Sequence, residues 1–158
     1  MTGNAASTRP FLICHSGTRG CAFPLEHVVE VMRALPLESF PAIPSFICGL
    51  SMIRGALVPV VNLAMLLGDA NCDDVTRYVT VKTAHRVAAF AVGSVVGVAQ
   101  LESSAIDDLP SLVADADTDQ GIVAAIGKVD ADLFLILELA RAIPESDWLE
   151  WDLPEVTS

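Results

Sequence analysis

An internal repeat constrains the fold of this chain more than any other feature. The segment FLICHSGTRGCAFPLEHVVEVMR (11–33) overlays YVTVKTAHRVAAFAVGSVVGVAQ (78–100) without a gap, at an offset of 67 residues from Phe11 to Tyr78. Farther along, LVPVVNLAMLL (57–67) overlays LFLILELARAI (133–143), and the offset has grown to 76 residues, so an insertion lies between the two overlays. Two copies of the same elements in the same order predict a duplicated architecture.

Short runs of β-branched and aromatic residues, separated by Gly, Pro and polar clusters, predict a mostly β protein. We place strands at about 11–16, 19–24, 52–62, 77–83, 86–92, 95–101, 121–128 and 132–139. Short helices are predicted at 25–32, at 44–48 ending on Gly49, at 63–67 ending on Gly68, and from Asp147, because Pro or Gly supplies a helix boundary in most of them. Strands this short close most economically into small barrels, which leave no exposed edge. The repeat then predicts two small barrels related by internal duplication, with a few short helices.

Composition limits the chain to one module and excludes several classes of partner. Its 158 residues, 53% of them apolar, suit one compact domain or two small barrels with a common core. The formal net charge of −11 would repel phosphate backbones and anionic lipid, so we expect no nucleic-acid partner. The longest nearly apolar stretch, 87–101, is shorter than the roughly 20 residues that span a bilayer, and residues 1–10 precede no signal-peptide core. We therefore expect a cytoplasmic protein without direct membrane insertion, with reduced, structural cysteines.

No constellation in the sequence supports catalysis, a cofactor or a metal. The G-S-V-V-G run at 93–97 has the wrong spacing for a serine nucleophile, and no phosphate-binding glycine motif occurs. The three histidines are scattered, without the close spacing that places two imidazoles on one metal. The segment DADTDQG (115–121) imitates a calcium loop, but its glycine stands at position 7 instead of 6 and Ile126 replaces the final glutamate. We expect a protein that is not an enzyme, and we interpret 107–120 as an exposed loop where partner selectivity could lie.

Three motifs at fixed spacing carry a resemblance to a known family. They are AFPLEHVVEV (22–31), PAIPSFICG (41–49) and MIRGALVPVVNL (52–63), and a run of alternating leucines follows Asp132, at Leu133, Leu135, Leu137 and Leu139. From about Phe11 to Ile143 the chain resembles the CheW-like domain. Where the family usually has N-L-R-G, this chain has Met52 and Ile53 before Arg54 and lacks the asparagine.

The resemblance implies both a fold and a function. The implied fold is two five-stranded, SH3-like barrels around a continuous core. The implied function is that of a non-enzymatic adaptor between a CheA-like histidine kinase and the cytoplasmic tips of chemoreceptors. We divide the chain into a flexible N-terminus (1–10), the CheW-like domain (11–143, with units of about 11–68 and 77–143 that could exchange strands) and an acidic tail (144–158). The alternatives are a kinase-regulating module of the same fold that acts without receptors, and a domain that binds a small ligand or calcium.

A groove that receives receptor or kinase is the candidate site. Arg54 stands between apolar residues and a glycine, where a long cation is poorly solvated and is usually held by a carboxylate, and Glu30 is the candidate partner. Gly49 is expected as the residue after a helix, and Gly55 as a turn before a strand. The aliphatic residues could equally be core. The candidate protein-binding residues are Val28, Glu30, Val31, Gly49, Ile53, Arg54, Gly55, Val95 and Val98.

Overall fold

The computed structural model describes residues 7–17, 19–38, 45–68, 75–83, 86–102, 106–108, 123–129, 132–139 and 143. Within these ranges it contains eleven strands, a short α-helix and a 3₁₀ turn at Leu25–His27. The elements are β1 (Thr8–Ser16), β2 (Arg19–Pro24), β3 (Val28–Arg33), β4 (Ile47–Ile53), β5 (Ala56–Asn62), α1 (Leu63–Leu66), β6 (Arg77–Thr83), β7 (Arg86–Val92), β8 (Ser94–Glu102), β9 (Ile106–Asp108), β10 (Val123–Val129) and β11 (Asp132–Leu137).

The strands form two sheets, and each sheet takes strands from both halves of the chain. One sheet has the order β8-β1-β2-β11-β10-β9, and the other has the order β3-β6-β7-β5-β4. In each, an antiparallel hairpin (β1–β2 or β6–β7) is extended by a parallel strand, β11 or β5. The two orders correspond strand for strand except for the three-residue β9. The mostly β, duplicated fold with five-stranded units is thus confirmed, and β9 is a sixth strand that the sequence did not indicate.

Strand register shows that the duplication extends to single residues. In the parallel pairs, Ile136 lies opposite Ala22 and Val60 lies opposite Ala89. These are equivalent positions, because the offset of 67 relates Ala22 to Ala89 and the offset of 76 relates Val60 to Ile136. The two offsets found in the sequence therefore relate the same inter-strand contacts in the two sheets.

The irregularities of the sheets are duplicated as well. The pairing of β1 with β8 has a bulge next to Ile13, which lies opposite Gly97. The pairing of β3 with β6 has a bulge at the equivalent place, where Thr80 lies opposite Glu30. A second pair of bulges, in β10 and in β4, is related by the offset of 76 residues. Because bulges set local twist and aim side chains, the two copies share their curvature as well as their strand order.

A shared core of buried residues joins the two sheets. It includes Phe23 of one sheet and Phe90 of the other, which are equivalent in the repeat and meet edge to face with ring centroids 5.6 Å apart. Each sheet has a smaller cluster of its own, around Phe11 and Phe134 in the six-stranded sheet and around Tyr78 in the five-stranded sheet. One cluster common to both sheets means that neither sheet buries its apolar face alone.

Several predicted strands are confirmed with bounds that agree closely, but three local predictions were wrong. The helix predicted at 25–32 is a 3₁₀ turn followed by β3, whose residues alternate between half-buried and exposed. The single strand predicted at 52–62 is the end of β4, a turn at Arg54 and Gly55, and β5. The helix predicted at 44–48 is wrong from residue 45 onward, where a turn leads into β4 at Ile47.

The helix predicted at 63–67 is confirmed as α1. The Asn62 side chain accepts a hydrogen bond from the Met65 backbone N–H at 3.2 Å, which caps the first turn. Gly68 follows with φ +91°, as expected of a glycine that ends a helix. The helix predicted from Asp147 and most of the loop predicted at 107–120 lie outside the described residues. The division into units at 11–68 and 77–143 stays a prediction.

Candidate functional site

The turn between β4 and β5 places a cation at the tip of a hairpin. Its two central residues, Arg54 and Gly55, have φ values of +53° and +80°. Positive φ at both positions matches the right-handed twist of a two-residue hairpin, and it is unusual for a residue with a side chain. Gly55 is therefore a turn residue, as predicted. Arg54 is presented with its side chain 77% exposed, so the prediction of a poorly solvated cation was wrong.

Arg54 forms a two-pronged ion pair with Glu30. Its Nε donates to Glu30 Oε2 at 2.9 Å, and its Nη2 donates to Oε1 at 2.7 Å. These hydrogen bonds hold the pKa of the Glu30 carboxyl below its ordinary value and raise the pKa of the Arg54 guanidinium. The predicted pairing of these two residues is confirmed. A guanidinium held by both oxygens of a carboxylate has a fixed orientation despite its exposure.

The ion pair also shows how far the five-stranded sheet curls. Glu30 belongs to β3 and Arg54 follows β4, and these two strands are the opposite edges of the sheet. A contact between them requires the sheet to bend round on itself, as in a small SH3-like barrel. The pair therefore links the two edges of the sheet.

A mostly apolar pocket of about 190 Å³ lies beside the ion pair. Its walls come from β3, the β4–β5 hairpin, β6 and β7. The lining residues are Val29, Glu30, Ile53, Arg54, Ala56, Val58, Thr80 and Val87. An apolar pocket next to an oriented arginine combines two features that protein-binding surfaces favour.

The four predicted valines, two in β3 and two in β8, lie toward the shared core and do not line the pocket. Val28 and Val95 are half-buried and pack directly against that core. Val31 lies opposite Val79, and Val98 lies opposite a second core residue; residues paired across an antiparallel ladder project to the same face. Val31 and Val98 are 40% and 57% exposed, so they extend the core face into solvent.

The nine predicted residues thus divide between different places. Glu30, Ile53 and Arg54 lie together at the pocket, with Gly55 adjoining, whereas the four valines flank the shared core. Gly49 was predicted to follow a helix, which is wrong: it lies in β4 at a bulge, with φ +152°. A Cβ on Gly49 would lie 2.6 Å from the carbonyl oxygen of Glu38, so a close backbone contact requires glycine there. That these residues bind a protein partner stays a prediction.

Sequence reasoning missed most of the apolar lining of the pocket, and it missed Thr80. Val29 is 56% exposed because it occupies the bulge, where the alternation of the strand breaks. Val58 and Val87 are ordinary β-branched residues whose position depends on how the sheet curls. Thr80 alone had a signal, since it interrupts a run of apolar residues in a buried strand.

The cysteines that the structure describes are structural. Cys14 and Cys21 lie opposite each other in the β1–β2 hairpin and are fully buried. Burial raises the pKa of each thiol to about 12, which keeps both protonated and unreactive. Across the described ranges, no three His, Cys, Asp or Glu side chains come together as metal ligands. Among the helices in those ranges, none has the length and apolar character needed to cross a bilayer.

Two duplicated sheets surround one core, and an apolar pocket lies beside an ion pair on the surface of the five-stranded sheet. The family comparison is specific: residues 10–147 match the model of the CheW-like domain, and the chain belongs to that family. It is therefore a non-catalytic, CheW-like scaffold of chemotaxis signalling.

Two named proteins and one solved structure are similar to this chain. The chain is 34% identical over 134 residues to "Protein FrzA" of Myxococcus xanthus, covering 80% of this chain and 83% of that protein. It is 24% identical over 131 residues to "Chemotaxis protein CheW" of Helicobacter pylori, covering 80% of this chain and 76% of that protein. The crystal structure of the scaffolding protein TtCheW from Thermoanaerobacter tengcongensis superposes with a TM-score of 0.74 at 21% identity, covering 84% of this chain and 90% of that one. This last likeness concerns the fold.

Proposed function

We propose that this chain couples a CheA-like histidine kinase to the cytoplasmic tips of methyl-accepting chemoreceptors in a bacterial signalling array. Membership of the CheW-like family supports an adaptor of this kind. The observation that carries the proposal is the Glu30–Arg54 pair beside the apolar pocket. In this role the protein works on the cytoplasmic side and reaches the membrane only through protein contacts.

The chemistry of the pocket suits a protein partner. A volume of about 190 Å³ accommodates an apolar side chain or two, which is less than the pockets of roughly 300 Å³ or more that hold small molecules. Arg54 keeps a largely exposed side chain that is already oriented by Glu30. Binding then costs little side-chain entropy, and arginines of this kind are frequent energetic centres of interfaces.

The exposed valines offer a second surface for a second partner. Val31 and Val98 are equivalent in the repeat, and both extend the shared core face into solvent. An amphipathic helix could lay its apolar face between them, in the helix-in-groove mode. An adaptor needs two separate surfaces, and the pocket and Val31 lie on opposite faces of β3.

Binding assays on substituted proteins test this proposal. Arg54→Ala should weaken binding of the kinase or of the receptor by about tenfold or more, which corresponds to about 1.4 kcal/mol. Arg9→Ala is the matched control, since it removes another exposed ion pair, Arg9–Glu26, and should leave binding unchanged. The charge-exchanged double variant Glu30→Arg with Arg54→Glu tells whether a partner contacts the guanidinium itself or only the shape that the pair maintains.

Each partner is measured separately, together with the melting temperature of every variant. Loss of kinase binding from Arg54→Ala, and loss of receptor binding from Val31→Asp or Val98→Asp, would support coupling through two surfaces. If all of these variants bind both partners as the parent protein does, the proposal is wrong. Binding of the kinase alone, with no receptor bound by the parent protein, would favour a kinase-regulating module instead.

A further inference from the structure

The β-bulge that carries Glu30 poses a hydrogen-bonding problem. A bulge interrupts the ladder between two strands and leaves a backbone group without its usual partner. The register of β3 with β6 shifts between Val28 and Glu30, so the interruption falls at the residue whose side chain binds Arg54. A buried backbone group that finds no hydrogen-bond partner destabilises the folded protein.

The hydroxyl of Thr80 meets this need from the facing strand. The Glu30 backbone N–H donates to Thr80 Oγ1 at 3.2 Å, and Thr80 Oγ1 donates to the Glu30 carbonyl oxygen at 3.3 Å. Thr80 is only 1% exposed, and it stands between the apolar Val79 and Val81. A hydroxyl is costly to bury unless it is hydrogen-bonded, and here both of its bonds go to Glu30.

The equivalent bulge in the six-stranded sheet has no hydroxyl at the position of Thr80. Its equivalent of Thr80 is Ile13, and its equivalent of Glu30 is Gly97. Gly97 adopts φ +149°, a conformation that residues with side chains avoid, whereas the φ of Glu30 is not positive. Glycine thus gives one bulge a backbone conformation that Glu30 does not adopt, but a glycine could not supply a carboxylate to Arg54.

We infer that Thr80 is a positioning residue, whose hydroxyl fixes the bulge so that the Glu30 carboxylate is aimed at Arg54. The inference rests on the proposed function in so far as the Glu30–Arg54 pair serves partner binding. It adds a buried residue of the pocket wall whose proposed role is to set the geometry of the exposed ion pair. The lowered pKa of the Glu30 carboxyl agrees with a carboxylate held in place.

Two substitutions of Thr80 test the inference in the full-length protein. Thr80→Val keeps the shape of the side chain and removes the hydroxyl, whereas Thr80→Ser keeps the hydroxyl. Thr76→Val is the matched control, because it removes a threonine hydroxyl that donates to the Gly93 carbonyl oxygen instead. The readout is the pKa of the Glu30 carboxyl, followed by NMR titration in each variant, together with the affinity for kinase and receptor.

We expect Thr80→Val to raise the pKa of Glu30 toward its ordinary value and to weaken partner binding as much as Arg54→Ala does. Thr80→Ser and Thr76→Val should leave both unchanged. An unaltered Glu30 pKa in folded Thr80→Val would overturn the inference. A second measurement needs no variant: the Glu30 amide should exchange slowly with solvent deuterium, and exchange at the rate of an open amide would equally overturn it.

The two proposals fail in different ways. If the Glu30 pKa responds to Thr80→Val as expected but no partner binds more weakly, Thr80 positions the ion pair and the proposed role of the pair in binding is wrong. If Arg54→Ala weakens binding but Thr80→Val changes neither the pKa nor the affinity, the proposed function stands and the inference about Thr80 is wrong.

Discussion

The contact between Phe23 and Phe90 predicts a measurable coupling between the two sheets. Each ring is fully buried, each belongs to a different sheet, and the rings meet edge to face at 5.6 Å with an interplanar angle of 82°. Such a pair contributes about 0.5–1.5 kcal/mol beyond the apolar area that it buries. Replacing either ring with leucine removes this contact as well as some packing.

A double-mutant cycle isolates that contribution. Phe23→Leu and Phe90→Leu each remove the same ring contact, so the double variant should be destabilised by about 1 kcal/mol less than the sum of the single variants. The free energies of unfolding come from urea denaturation followed by circular dichroism. The control cycle combines Phe23→Leu with Phe134→Leu, since Phe134 belongs to the separate cluster of the six-stranded sheet.

Additivity decides the result. We expect the control cycle to be additive within about 0.5 kcal/mol, and the Phe23–Phe90 cycle to depart from additivity by more than that. Unfolding should also remain a single transition, because the shared core takes residues from both sheets. An additive Phe23–Phe90 cycle, or two separate transitions in the parent protein, would refute the picture of one core common to both sheets.

Two further predictions concern single residues near the site. Gly49→Ala and Gly97→Ala both place a side chain at positive φ, at a cost of about 1–3 kcal/mol. Only at Gly49 would the new Cβ also press on the Glu38 carbonyl oxygen, so Gly49→Ala should lower the urea midpoint more than Gly97→Ala does. Equal effects of the two substitutions would contradict the close approach at Gly49. Because folding lowers the pKa of Glu30 from its ordinary 4.5, the ion pair stabilises the protein above that pH and loses its effect as the pH falls below it. Arg54→Ala should thus be less stable than the parent near neutral pH and equally stable in strong acid, and a difference that persists in acid would show another origin.

Much of the fold was predictable because the repeat was visible in the sequence. Two of the three wrong local predictions conflict with the repeat itself. The segment VVEVMR of β3 overlays VVGVAQ of β8. Because VVGVAQ is predicted as a strand, the repeat predicts a strand for VVEVMR as well, and not a helix. The turn at Arg54 and Gly55 falls, at the offset of 76, on the gap between the strands predicted at 121–128 and 132–139. At these two places the equivalent segment of the second copy is a better guide to structure than local residue propensity.

Of the pocket and its surroundings, the Glu30–Arg54 ion pair was predictable from the sequence, whereas most of the apolar lining was not. The apolar neighbours of Arg54 suggested a carboxylate partner, and the resemblance to the CheW-like family supported Glu30, 24 positions away in the sequence. The apolar walls of the pocket carry no comparable signal, because Val58 and Val87 look like any other core residues until the curl of the sheet is known. Strand register, which depends on bulges and turns, decides which valines face the pocket and which face the shared core.

Comparison of the two copies shows where this duplicated domain has become asymmetric. The shared core keeps equivalent residues, such as Phe23 and Phe90, because both sheets depend on it. At the bulge, in contrast, Glu30 and Thr80 of one sheet stand where the other has Gly97 and Ile13. The bulge occurs at the equivalent place in both copies but is held differently: Gly97 adopts φ +149°, whereas Glu30 has no positive φ and its backbone bonds to the Thr80 hydroxyl. The second copy shows that a bulge can form at this place without a carboxylate, so a glutamate there on the five-stranded sheet fits the proposed role of the Glu30–Arg54 pair in partner binding.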